Sequence, residues 1–124
     1  MPRLMSVAFT EDAVRRRAKT VTRRRGWLSL KPGDQLTLCR KVMGRRPGEL
    51  LVRIVNVTVV NVRREQLDAI TDDDVTREGF PGMSRVEFMA RFFIGKQGIE
   101  PTDTITRIEW IYNDNDGGGS GPIG

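Results

Sequence analysis

Histidine is absent from the 124 residues. That removes Ser-His-Asp and Cys-His catalysis and the common zinc motifs. Any general base must be Lys, Glu, Asp, Tyr or Cys. The single cysteine, Cys39, allows no internal disulfide and has no partners for a zinc site. No apolar run approaches the roughly 20 residues needed to cross a bilayer. No signal peptide is visible at the N-terminus, so no membrane role is expected and cytoplasmic residence is the default expectation. No metal and no cofactor is expected.

What is present suits one domain. The length allows a single core, and 38% hydrophobic content, rich in Val and Ile, is too apolar for a wholly disordered chain. The formal charge is +5. The opening 26 residues hold eight Lys and Arg against only Glu11 and Asp12, while the rest of the chain is nearly balanced. Arg15, Arg16, Arg17, Arg23, Arg24 and Arg25 fall within "RRRAKTVTRRR". So focused a field suits a phosphate-bearing partner, RNA or single-stranded nucleic acid; the structural alternative is a solvated basic helix face. Trp27, next to the second triplet, is placed to stack a base or to pack at the rim of the core.

The pattern predicts a strand over 3–9 and a short helix over 10–18, with Thr10 as N-cap and acids in its first turn. "KPGD" (31–34) is a turn, "QLTLCRKV" (35–42) an alternating strand, and "GRRPGE" (44–49) a second turn. In "LLVRIVNVTVVNVR" (50–63) Val52 and Ile54 share one face, Val55, Val57 and Val59 the other, then Val60 and Val62 switch back. A period-2 strand does this only through bulges or a sharp bend.

Two helices are predicted next. The first, over 71–79, has Thr71 as cap and Gly79 as stop. The second, over 84–95, has a Ser84–Glu87 capping box, ends at Gly95, and turns Val86, Met89, Phe92 and Phe93 to the core. Asp72, Asp73 and Asp74 are accounted for by charge complementarity at a helix start. "DTITRIEWIY" (103–112) is the last strand, with Ile108, Trp110 and Tyr112 on one face. Residues 113–124, "NDNDGGGSGPIG", read as a disordered glycine-rich tail after a domain over 1–112. The order gives an α+β fold around a mostly antiparallel barrel.

Lys19, Thr22 and Arg24 stand at the spacing K-x-x-T-x-R, after a short helix and before a turn and strand. This resembles the ASCH superfamily, small PUA-like β-barrel domains associated with RNA, whose signature is G-x-K-x-x-E-x-R. Arg17 stands here at the glycine position and Thr22 at the glutamate position. The threonine form is similar to a branch of small amidohydrolases that deacylate N-acetylcytidine with the Lys, the Thr and a Glu just after the central strands. Glu78, in "VTREGF", lies at a comparable place. The chain also looks like uncharacterised ASCH proteins of actinobacterial phages. The resemblance implies a PUA-like barrel with short peripheral helices, a modified nucleoside or RNA as ligand, and Lys19, Thr22 and Glu78 as a candidate triad.

The chemistry sets its own conditions. Thr22 is a nucleophile only if a base takes its proton, and Lys19 is a base only if neutral. Neighbouring arginines and burial favour that; an ionised Glu78 opposes it. Residues three apart lie on opposite faces of a strand, so such a site needs the chain to leave regular geometry around 19–22. The readings left open are an RNA- or nucleotide-binding domain, a metal-independent amidohydrolase, and a protein-interaction module. In the two non-catalytic ones Lys19 simply pairs with Glu78.

Overall fold

The computed structural model describes residues 2–113; the expected tail from 114 onward lies outside the described residues. Five strands, β1 (Arg3–Ser6), β2 (Val21–Arg24), β3 (Gln35–Cys39), β4 (Arg53–Gln66) and β5 (Thr104–Tyr112), form one sheet in the order β1-β3-β4-β5-β2. Only the β1–β3 pair is parallel. The sheet curls into a half-barrel with short helices around it, the α+β, PUA-like architecture expected from the sequence.

The curl originates in β4. Leu38 pairs with Val55 but Cys39 pairs with Arg53, so Ile54 is extra. Val59 pairs with Trp110 but Asn61 pairs with Glu109, so Val60 is extra. Both bulges fall where the hydrophobic phase switches. Each adds twist and returns the next valines to the concave face. Met5, Leu36, Leu38, Val57, Val59, Ile108 and Trp110 fill that concavity, with Val62 and Tyr112 against them. One residue past β5, the Asn113 amide still donates to the Asn56 carbonyl at 3.1 Å.

A second core lies between the far ends of β4 and β5 and the helices, built from Leu67, Ile70, Val75, Phe88, Phe93, Ile99 and Ile105. Helix α1 covers Glu11–Arg15 and α2 covers Asp72–Arg77. α3 (Arg85–Met89) runs through a π-helical turn (Ala90–Ile94) into α4 (Gly95–Gln97). Thr71 and Ser84 cap as expected, their hydroxyls each accepting a backbone N–H at 3.1 Å. Among the described residues no helix is long and apolar enough to cross a membrane.

Three local expectations are corrected. Thr10 sits at the N-cap of α1 without a capping hydrogen bond, because a 3-10 turn at Ala8–Thr10 leads directly into the helix. The last helical segment passes through Gly95 and ends at Gly98, which takes the left-handed conformation (φ 67°). Val86 is 66% exposed and Phe88 takes the core position. Phe92 lies one ordinary turn from Phe88, and the wider π turn brings Phe93, five positions on, beside it as well.

Candidate active site

The site begins where α1 stops. Arg17 adopts a left-handed conformation (φ 64°), ending the helix. The amides of Ala18 and Lys19 both turn back to the Ala13 carbonyl. The Lys19 carbonyl then accepts from Trp110 Nε1 at 3.1 Å and from the Tyr112 hydroxyl. Thr20 donates its amide to the Arg77 carbonyl at 2.9 Å, which fastens this segment to the end of α2. Regular pairing resumes only at Val21. The departure from strand geometry that the Lys19–Thr22 spacing requires is therefore supplied by the link between α1 and β2.

Glu78 caps the C-terminus of α2. The next residue, Gly79, has φ 111°, and a Cβ there would lie 3.1 Å from the Ala13 Cβ. Only glycine lets the end of α2 approach α1 so closely. The approach brings Glu78 onto Lys19. The ammonium nitrogen donates to the Glu78 carbonyl oxygen at 2.7 Å and to its Oε1 at 3.2 Å. Lys19 is 3% exposed, and Thr22 and Glu78 are equally buried.

Strand alternation separates Arg23 from Arg24. Arg24, on the Thr22 side, donates through Nε to Thr22 Oγ1 at 3.2 Å and through Nη2 to the Ser6 carbonyl at 2.6 Å. β1 and β2 are the two edges of the sheet, so Arg24 spans the open seam of the half-barrel. Arg23 enters a buried carboxylate cluster: Nη2 meets Asp74 at 2.5 Å and Glu65 at 2.8 Å, and Nη1 meets Glu78 at 3.3 Å. Arg107 grips the same Asp74 with two bonds, at 2.8 and 3.0 Å. Arg23 Nε has no partner and is the one such buried side-chain nitrogen or oxygen among the described residues.

The electrostatics follow from burial. Burial lowers the Lys19 pKa from its ordinary value; Glu78 opposes this, and Arg24 and Arg23 reinforce it. Burial also lowers Arg24, again against Glu78. At Asp74 burial works to raise the pKa, but hydrogen bonds and charge from Arg107 and Arg23 outweigh it and hold the carboxyl well below its usual range. Positive charge is thus under-compensated on the Lys19–Arg24 side, and Glu78 serves more than one cation.

Lys19, Thr22, Arg23, Arg24 and Glu78 line a cleft of about 410 Å³, a volume that suits a small-molecule ligand. Arg25 and Trp27 also line it. The Trp27 ring, half-buried against the first core, carries the Arg3 guanidinium 4.2 Å from its centroid. The first arginine triplet is arranged differently. Arg15 pairs with Glu11 and Arg16 with Asp12, each one helical turn back. Arg17 donates to the Val14 and Arg15 carbonyls and lies over the Tyr112 ring. The six arginines therefore do not share one face.

No protein-family model and no curated protein matches the chain. Among solved structures, the ASCH domain from Lactobacillus crispatus JV V101 superposes with TM-score 0.61 at 15% identity, over 84% of this chain and 70% of that one. The fold is of the ASCH type. A protein of Enterococcus faecalis V583 described by the family model DUF984 agrees, with TM-score 0.63 at 15% identity, over 97% of this chain and 83% of that one. In this ASCH-type fold the cleft lies at the seam between the edge strands, closed off by the helical segments.

Sequence reasoning missed Asp74, Glu65 and Arg107. Asp74 read as helix-start charge, yet it is buried beneath Arg23. Arg107 offered a signal, since alternation puts this charged residue on the same face of the strand as Ile105. The five phenylalanines of the chain, Phe9, Phe80, Phe88, Phe92 and Phe93, all line the cleft. Periodicity assigned the last two to the core alone.

Proposed function

We propose that the 1–112 unit binds a single acylated nucleoside in this cleft and hydrolyses its exocyclic amide. The observation that carries the reading is the contact of Lys19 with Glu78, 59 positions away, in a cleft that Thr22 also lines, under burial that favours a neutral lysine. Neutral Lys19 takes the Thr22 proton as the hydroxyl oxygen adds to the acyl carbon. Arg24, already on Thr22 Oγ1, stabilises the developing negative charge. Glu78 orients Lys19 and relays the proton to the departing amine as the C–N bond breaks. Water then attacks the acyl-threonine, releasing the carboxylic acid and restoring the hydroxyl. The test is incubation of pure protein with N-acetylcytidine and related N-acylcytidines, with no added metal, followed by ultraviolet absorbance. Cytidine release lost in Thr22→Ala supports the reading; no turnover across the series sinks it.

A second reading is favoured by exposed Arg25 and half-buried Arg24 on the same cleft. In it the domain holds single-stranded RNA, with a splayed base in the cleft and phosphate on Arg25. Affinity then falls steeply with salt and drops in Arg25→Gln. Salt-insensitive binding would exclude it. A partner protein captured after nuclease treatment, with neither ligand bound, would support an interaction module instead.

A further inference from the structure

The cleft has two chemically different halves. One carries Lys19, Thr22, Arg24 and Glu78; the other is a wall of phenylalanine rings. Phe80 and Phe92 lie 4.8 Å apart by centroid, and each lies 5.4 Å from Phe88. Phe9 extends the wall to the mouth, 6.2 Å from Phe92. Core packing accounts for Phe88 and Phe93, which are buried. It does not account for Phe9, which is 71% exposed and sits on the 3-10 turn, with the Lys96 ammonium 4.7 Å from its ring centroid. Nor does it account for the π-helical turn that gathers Phe92 and Phe93 on one side, an irregularity that regular helix formation does not favour.

A nucleobase with a small acyl group would engage the polar half and leave this wall unmatched. A planar ring offset against Phe80, Phe92 and Phe9 would use it, because aromatic pairs gain from such contact beyond simple burial. We infer that the cleft selects an acylated nucleoside whose acyl group is bulky and aromatic, with Phe9 and Phe92 as specificity-determining residues. The inference rests on the amide-hydrolase reading for its reaction, but the apolar half would also govern binding alone.

The experiment compares N-acetyl-, N-hexanoyl- and N-benzoylcytidine. It measures kcat/KM for each and, separately, equilibrium binding through tryptophan fluorescence, since Trp27 lines the cleft. One methylene in an apolar pocket discriminates by about tenfold or more, so benzoyl should exceed acetyl by at least that factor, with hexanoyl between. Phe9→Ala, at an exposed position where the fold does not depend on the ring, should collapse the benzoyl-to-acetyl ratio toward one. Phe9→Tyr, which keeps the ring, should restore it. Acetyl turned over as well as benzoyl would overturn the inference while leaving the hydrolase reading standing. Benzoyl-selective binding sensitive to Phe9, without turnover, would sustain the inference and remove the hydrolase. Neither turnover nor binding would end both.

Discussion

The Lys19 ammonium meets Glu78 twice, at its backbone carbonyl (2.7 Å) and at its carboxylate (3.2 Å). The carbonyl bond fixes the position of the nitrogen whatever the charge of the carboxylate. The carboxylate bond sets how readily that nitrogen loses its proton. Geometry and basicity are thus controlled by different atoms of one residue.

Glu78→Gln separates the two. The carbonyl bond survives, but the charge that raises the Lys19 pKa is lost. A depressed lysine pKa means that the basic form grows as pH rises, so the rate of amide hydrolysis should climb with pH to a midpoint below 10.5 in the parent. In Glu78→Gln that midpoint should move lower still, while kcat falls about 100-fold because proton relay is lost. A pH-rate profile of both proteins is the check. A midpoint moved upward would contradict the assignment.

Asp74→Asn tests the buried cluster. With its folded pKa below the ordinary value, Asp74 contributes stability that is fully present above its unfolded pKa of about 4 and lost as pH falls through the depressed folded value. Removing the charge leaves Arg23 and Arg107 short of a partner, at a cost of about 3 kcal/mol at neutral pH. Urea titrations from pH 2 to pH 7 should show a shallower acid dependence in the variant. Glu11, held at about 2 chiefly by the Arg40 hydrogen bond, keeps some acid dependence in both proteins.

Gly79→Ala should destabilise the fold by more than about 1 kcal/mol, since alanine is strained at φ 111° and its Cβ would crowd Ala13. The strain falls between α1 and α2, so turnover should drop further than the small unfolded fraction explains. Denaturation midpoints and kcat on the same preparations separate the two effects.

Arg24→Lys keeps a positive charge but not the fork that reaches Thr22 and Ser6 together. Loss of one of the two bonds should cost about 1 kcal/mol. The seam between β1 and β2 should also open, read as faster amide hydrogen exchange in β2. Unchanged exchange would show that Arg24 does not close the half-barrel.

Local pattern alone determined a good part of this protein. The phase switches in 50–63 located both bulges, at Ile54 and Val60, because side-chain alternation is a property of each strand by itself. The caps at Thr71 and Ser84 were legible because a cap needs only the residue and its near neighbours. Val86 was misread because the helix turns Phe88 to the core in its place, and Gly95 because the π turn carries the helix through it to Gly98. The K-x-x-T-x-R motif named Lys19 and Thr22, and the resemblance it carries offered Glu78 as their partner, without the contacts that hold them. Only the tertiary structure decided how Glu78 meets Lys19, that Arg23 is taken up by Asp74 and Glu65 while Arg24 reaches Thr22 and Ser6, and that all five phenylalanines line one cavity. Those outcomes depend on contacts across tens of residues and on the cost of burying charge. Neither is written in any short stretch of sequence.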